Sequence, residues 1–388
     1  MKTPCLSAIA TLVLSSTLSW AADPQRSLKF STKPIWGSGS TTSGGDGNAR
    51  WIDADKDGDL DLVTSVPNPR RWALFTNQEG KLAQQPSWES KETTDCDHIS
   101  VLDFNKDGWV DLAGTHESHC TLYINHAGKA KTAFGALPTW ETGIVTDANQ
   151  IDFGDFDQDG DLDMVMASGL PVYGLALFEN KNGTPSTMVS RTIGPREYIE
   201  TAIFADIDSD GDLDIVGAYG KQGTVVVYHN DKGQFDSGTL VYSNQQVRWC
   251  QRIYCIDIDQ DGNQELFCAK GPWGPPGASV ALAHQAGSKT MKVIWNSAAG
   301  TGFHGFDFRD VDQDGDLDVA AADWGGRSVS IYLQDKGVVS KSPVWTAKTT
   351  GPAHEVVFGD VDGDGDLDLA AGCLDQALVF ENLLIGAK

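Results

Sequence analysis

Asp155-Phe156-Asp157-Gln158-Asp159-Gly160-Asp161-Leu162-Asp163 sets acidic side chains at every second position around a glycine. The pattern recurs seven times, beginning at Asp53, Asp103, Asp155, Asp206, Asp257, Asp310 and Asp360, at intervals of 50 to 53 residues. Carboxylates so spaced, with a glycine that permits a sharp turn, wrap hard oxygen ligands around one cation. Calcium accepts about six to eight oxygens in flexible geometry, whereas magnesium holds to a tight octahedron and keeps its waters. No His or Cys stands at a ligand position, which argues against zinc and copper. Positions 1, 3, 5 and 9 are therefore read as side-chain ligands of Ca2+ and position 7 as a backbone-carbonyl ligand, for up to seven ions.

The expected ligand sets are Asp53, Asp55, Asp57, Asp59 and Asp61, then Asp103, Asn105, Asp107, Trp109 and Asp111, then Asp155, Asp157, Asp159, Asp161 and Asp163. Asp206, Asp208, Asp210, Asp212 and Asp214 follow, with Asp257, Asp259, Asp261, Asn263 and Glu265 after them. The last two sets are Asp310, Asp312, Asp314, Asp316 and Asp318, and Asp360, Asp362, Asp364, Asp366 and Asp368. Asn105 keeps an oxygen donor, and Glu265 has a longer reach than Asp. An EF-hand is the obvious competitor, but it needs a Glu at position 12 and flanking helices. Position 12 is Thr64, Met166 or Gly217 in three copies, and the flanks are short β-branched runs such as Ile203-Phe204-Ala205 and Ile215-Val216. Those read as strands around a hairpin. An acidic turn that binds nothing would suit one copy; five copies carrying all five acids at one period argue against it.

The formal charge of −25 looks different once partitioned, because the seven loops hold 32 of the 54 acids and, of the 29 Lys and Arg, only Lys56 and Lys106. Seven Ca2+ would leave a net charge of about −11. The rest of the surface is close to neutral, and no basic cluster marks a nucleic-acid site. Residues 1–21 read as a signal peptide: Lys2, an apolar stretch from Leu6 to Leu18, and Ser19-Trp20-Ala21 as a cleavage site. A secreted or periplasmic protein without a membrane span is expected, with 22–388 as one domain and the chain monomeric. Of the six later cysteines, Cys96–Cys120 is the expected disulfide, since both should sit at one end of a repeat. Cys255–Cys268 is a second possibility, and a buried free thiol stays open for Cys373.

Aligned on the acidic loop, each repeat supplies a strand before it, a strand after it, a third such as Val226-Val-Tyr-His-Asn230, and a fourth that often ends in Trp (Trp88, Trp140, Trp295, Trp345). Four strands in about 50 residues signal an all-β propeller blade. A solenoid is the alternative, but it needs capping units. After Asn382 too few residues remain for a fourth strand, while Pro34-Ile35-Trp36 matches Pro343-Val344-Trp345. The fold expected is a seven-bladed β-propeller of four-stranded blades, closed by an N-terminal strand completing the last blade. The Gly/Ser-rich stretch 37–48 is read as a loop within the first repeat. The recurring blade-end tryptophans belong to inter-blade packing.

Phe153-Gly154-Asp155, Phe358-Gly359-Asp360, the Asp-x-Asp-x-Asp-Gly loops and Val216-Gly217-Ala218 make the chain resemble the FG-GAP/VCBS repeat family, the repeats of integrin α-subunit propellers. The resemblance covers the chain beyond the expected signal peptide. It implies calcium in loops on the lower face and ligands on the upper face, and leaves function open.

With the loops below, the residue six before each loop forms a ring at the top of the channel: Gly47, Asp97, Asn149, Glu200, Gln251, His304 and His354. Asn48, His98, Gln150, Arg252 and Glu355 come next. Asp97, His98, Asn149, Glu200, Gln251, Arg252, His304 and His354 are the ligand-binding candidates. Upper loops add Arg70-Arg71-Trp72, His116, His119, Tyr173, Tyr219, Lys221, Trp273, Trp324 and Arg327. A polar mouth with aromatic platforms suits a carbohydrate or protein ligand; the plain alternative is that these groups solvate the channel and pack loops. The first reading of function is a non-catalytic recognition module. A polysaccharide lyase using His, Tyr and Arg at the mouth is the enzymatic alternative, though no motif assigns those roles, and no Gly-x-Ser-x-Gly elbow supports a hydrolase.

Overall fold

The computed structural model describes residues 28–39, 47–67, 69–92, 96–143, 148–169, 174–273, 277–285, 288–298 and 300–384. The expected signal peptide, Tyr173 and most of the Gly/Ser-rich stretch lie outside these residues. Seven four-stranded antiparallel sheets form a ring, one per repeat. Inner strands begin at Ala49, His98, Ala148, Thr201, Cys250, Phe303 and Ala353, and each second strand begins at the ninth residue of its acidic loop. Second strands such as Asp163–Ser168 and Asp368–Cys373 are buried along their whole length. They read as unbroken apolar runs because neighbouring blades cover both faces.

The N-terminal strand Trp36–Gly37 pairs with Ala377–Phe380, in the register Trp36↔Val379 and Gly37↔Leu378. The last blade is thus completed by the start of the chain, as the repeat alignment requires.

The hydrophobic interior is not one central core. Seven clusters each join two adjacent blades: Ile52, Trp72 and Trp88 of the first blade meet Ile99, Leu112 and Tyr123 of the second. Trp36, Val379 and Ala370 of the last blade meet Leu62 and Phe75 of the first. The blade-end tryptophans lie at these seams. Indole N–H groups of Trp36, Trp88, Trp140 and Trp295 donate to Ala83, Gly135, Pro185 and Ser340 carbonyls of the following blade, at 2.8 to 3.2 Å. Burial of a Trp usually needs a partner for that N–H; here the partner lies on the neighbouring blade.

No disulfide forms among the described residues, which corrects the expected Cys96–Cys120 and Cys255–Cys268 pairings. Cys120 faces Met166 Sδ at 3.5 Å, Cys96 donates to the His98 carbonyl at 3.3 Å, and Cys255 turns toward Gln264. Each thiol is aimed into its own surroundings rather than at the expected partner. Among the described residues no helix is long and apolar enough to cross a membrane.

Candidate functional site

All seven acidic loops adopt one backbone form. Position 4 is left-handed, with φ from 56° at Gln260 to 72° at Gly363, and the position-6 glycine has φ from 84° at Gly108 to 101° at Gly315. Six of the position-4 residues carry side chains, for which that region costs energy. Five of them reach the next blade's loop. Gln260 and Gln313 donate to the Gly315 and Gly365 carbonyls at 2.8 and 2.9 Å. Lys106 donates to the Gly160 carbonyl and Gln158 to Asp212, while Lys56 lies 4.7 Å from the centre of the Trp109 ring. The sequence offered no motif for this; only neighbouring loops in space reveal it.

Within each loop the acids divide their work. At position 1, Asp155 and Asp360 accept from the glycine N–H through Oδ2, at 3.0 and 3.1 Å. Their Oδ1 atoms, with Asp53 Oδ1 and Asp312 Oδ1, are buried without a hydrogen-bond partner. A buried carboxylate oxygen left so is costly unless a cation answers it. Carboxylate oxygens of Asp53, Asp55 and Asp57, of Asp155, Asp157 and Asp163, and of Asp206, Asp208 and Asp210 come within 4.8 Å of one another. The donor set is hard oxygen throughout these groups.

Position 7 has another task. Asp59, Asp161, Asp212 and Asp316 each accept through Oδ2 from a backbone N–H in the turn of a small outer hairpin, at 2.7 to 3.1 Å. Those two-stranded hairpins occur in blades 1, 3, 4 and 6 of the described structure. Blades 2 and 5 carry Trp109 and Asn263 at position 7 and show none among their described residues. The position-9 acid clamps the blade: Asp61 accepts from Ala54 N–H at 3.1 Å and from Asn77 N–H at 2.7 Å. Burial pushes these carboxyls up, backbone hydrogen bonds oppose it and neighbouring carboxylates add to it, giving about 7 at Asp61 and about 8 at Asp368.

On the opposite face, six of the seven ring residues converge. Asp97, Asn149, Glu200, Gln251, His304 and His354 line one cavity of about 430 Å³, together with Arg252, Tyr198, Trp249 and Trp273. The inner-strand register explains the aim. It skips Asn149, Gln251, His304 and His354, so each is the extra residue of a β-bulge. A bulge leaves that residue unpaired and re-aims its side chain. Asp97 and Glu200 stand just before their inner strands, which begin at His98 and Thr201. Gly47, the seventh, leaves no room for a side chain: a Cβ there would meet His354 Cβ at 2.6 Å.

The His304 and His354 rings lie 3.5 Å apart between centroids, with Trp324 5.7 and 5.8 Å away. Burial first, then the other ring and the Arg252 charge, keep His304 well below the usual histidine range, and burial with Arg252 and Arg50 does the same for His354. Both imidazoles are neutral near pH 7, and His304 Nδ1 is buried without a partner. Burial lifts Glu200 to about 7, against the Tyr198 hydrogen bond and the Arg252 charge and with Asp97 adding to it. Arg252 crosses from blade 5 to donate to the Asp97 carbonyl of blade 2, so both blades are joined at the cavity they line. Lys270 holds the Trp273 loop by donating to the Gly271 and Trp273 carbonyls at 2.7 and 2.6 Å.

Not every expected residue reaches the mouth. His98 is buried and faces Arg50 and Ser100, at 3.5 and 3.4 Å, instead of the cavity. Trp72 is packed between blades 1 and 2, and Tyr219 meets Tyr228 OH at 2.5 Å inside the blade 3–4 seam. Trp72 and Tyr219 belong to seams because a second-to-third-strand hairpin buries the side chains at its base. Trp249 escaped the sequence reading. It lines the cavity with φ of 60°, a strained conformation for a bulky residue. Its signal is a tryptophan outside the blade-end register.

Known proteins add the following. No curated protein matches the chain. Among solved structures, the crystal structure of BBS1N in complex with ARL6DN is similar in fold (TM-score 0.58, 11% identity, 90% of this chain and 96% of that one). The WD40 domain from Toxoplasma gondii coronin is similar too (TM-score 0.58, 10% identity, 92% of this chain and 86% of that one). The FG-GAP-like repeat family matches residues 53–114, 103–166, 155–217, 206–268 and 310–371, each match running from one acidic loop through or toward the next. With those matches spanning most of the ring, the chain belongs to the FG-GAP-like repeat family.

Proposed function

We propose that the protein is an exported, calcium-stabilised binding module whose channel mouth takes a carbohydrate. The observation that carries this reading is the convergence of four bulge residues, Asn149, Gln251, His304 and His354, on one cavity edged by Tyr198, Trp249 and Trp273. Amide and neutral imidazole groups both donate and accept, which suits a hydroxyl-rich ligand. Aromatic faces suit the C–H faces of sugar rings, and the buried Arg252 fixes orientation rather than attracting bulk anions.

Calcium belongs to the scaffold in this proposal. The unpartnered oxygens of Asp53, Asp155 and Asp360 fit a hard cation that needs many oxygens, and the side chains at positions 1, 3, 5 and 9 would hold it. It would supply charge neutralisation, letting carboxylates that share a loop lie close together. Export is supported by the leader-like residues 1–21.

A glycan array probed with the calcium-loaded protein tests the reading. Binding should fall by about 10-fold or more in Gln251→Ala and in Trp273→Ala, as expected for groups at a ligand's centre. Trp273 is among the exposed aromatics, so its truncation should leave the fold intact. Unchanged binding in both variants would move the site off the channel mouth. Absence of any glycan ligand would remove the carbohydrate reading.

A further inference from the structure

A second cluster on the upper side is not used by the channel mouth. His116 ends the second strand of blade 2 and His119 begins the third, and the two are register partners across the Glu117-Ser118 turn. Glu92 comes from blade 1, just after its outer strand Trp88–Glu89. The Lys91 N–H donates to the Ala136 carbonyl at 2.9 Å and lays that segment on blade 2. Glu92 Oε2 then lies 3.1 Å from His116 Nε2 and 3.3 Å from His119 Nε2. The three atoms fall within 4.8 Å of one another.

Metal bonds of about 2.0–2.2 Å at tetrahedral angles put neighbouring ligand atoms about 3.3–3.5 Å apart. Two edges of such a tetrahedron are already near that length. The rings are held in place: Trp72 stacks on His116 at 5.4 Å, and His116 on His119 at 4.9 Å. Ser118 Oγ lies 3.1 Å from His119 Nδ1, a contact that holds the ring with its other nitrogen turned toward a metal. Thr121 Oγ1, 3.0 Å from His116 Nε2, is the group a metal would have to displace. Two imidazoles and one carboxylate select a borderline cation, unlike the acidic loops with their oxygen donors.

We propose that Glu92, His116 and His119 bind one zinc ion, which ties blade 1 to blade 2 on the upper side. The alternative occupant of the cluster is a proton, making it a plain ion pair. Titrating the calcium-saturated protein with Co2+ and then Zn2+ separates the two. The expected result is one equivalent bound in excess calcium, with the visible absorption of tetrahedral cobalt bleached by zinc. His119→Gln and Glu92→Gln should each weaken binding by at least about 10-fold. Both side chains are part-exposed, so the variants should keep the parent's circular dichroism and its calcium dependence of melting. No stoichiometric binding, or binding that survives both substitutions, overturns the proposal. Glycan binding at the channel mouth is measured separately, and its success or failure leaves this result standing.

Discussion

Asn77 Nδ2 donates to the Val361 carbonyl at 2.7 Å, joining the first blade to the last across 284 residues of chain. The arrangement repeats around the ring. Asn125 reaches Ala54, Asn230 reaches Phe156 and Gln334 reaches Ile258, at 2.8 to 2.9 Å, and Asn382 reaches Val311 at 3.4 Å. In each case the residue two positions beyond the end of a third strand takes the position-2 carbonyl of the preceding blade's acidic loop. That loop is thereby fixed to two blades at once, and the ring closes by the same bond that spaces it.

Asn77→Ala should cost about 1–3 kcal/mol, because it leaves the buried Val361 carbonyl without its donor. Urea denaturation followed by tryptophan fluorescence measures this. An unchanged midpoint would mean that the N-terminal strand alone closes the seam.

Removing calcium should lower the melting temperature. A single site held at about 100 times its Kd contributes about 2.7 kcal/mol, and weak sites nearer 1. Several loops together should give a large shift on adding excess chelator, reversed by Ca2+. Magnesium at the same concentration should restore less. A melting curve indifferent to chelator would refute calcium in the loops.

Glu200 should make stability fall as pH rises. Its carboxyl is raised from 4.5 to about 7 in the folded protein, chiefly by burial, so the folded state holds a proton that the unfolded chain has released. Stability from this group is present below pH 4.5 and is lost as pH climbs to about 7. The whole effect is about 3 kcal/mol at most by linkage. Comparing the pH dependence of unfolding in the parent and in Glu200→Gln separates the effect of this carboxyl from that of the acidic loops. Parallel profiles would show that Glu200 titrates normally.

Gly372→Ala should be among the most damaging single changes. A Cβ there would stand 2.0 Å from the Gly47 carbonyl oxygen, backbone that cannot swing aside, at the seam between the last blade and the first. A loss of about 3 kcal/mol or more is expected. Gly315→Ala makes the contrast: nothing lies within 4 Å, so only its φ of 101° matters and the cost should be about 1–2 kcal/mol. Equal losses in the two variants would contradict the packing argument.

The ring and its closure were legible because the acidic loop is a local signal repeated at a fixed interval, and Pro34-Ile35-Trp36 matches the strand that the last blade lacks. The mouth was legible for a related reason. Six-before-the-loop is a fixed strand position, so a one-dimensional count placed Asp97, Asn149, Glu200, Gln251, His304 and His354 on one rim. What failed was side-chain direction one residue further on. Arg252 reaches the cavity while His98, its counterpart in blade 2, faces Arg50. The bulge at Gln251 in blade 5 has no equivalent in the continuous register of blade 2, and nothing in either stretch of sequence announces it.

Residues acting within one repeat were therefore settled by sequence alone: the acidic turn, the four strands around it, the count of blades and the source of the acidic charge. Tertiary structure decided whatever depends on two repeats meeting. The Asn77–Val361 bond, the relay from Gln313 to Gly365 and the Glu92–His116–His119 cluster all join groups brought together by the angle between blades. That angle follows from how seven separate hydrophobic seams pack, a sum of many weak contacts with no local motif to mark it.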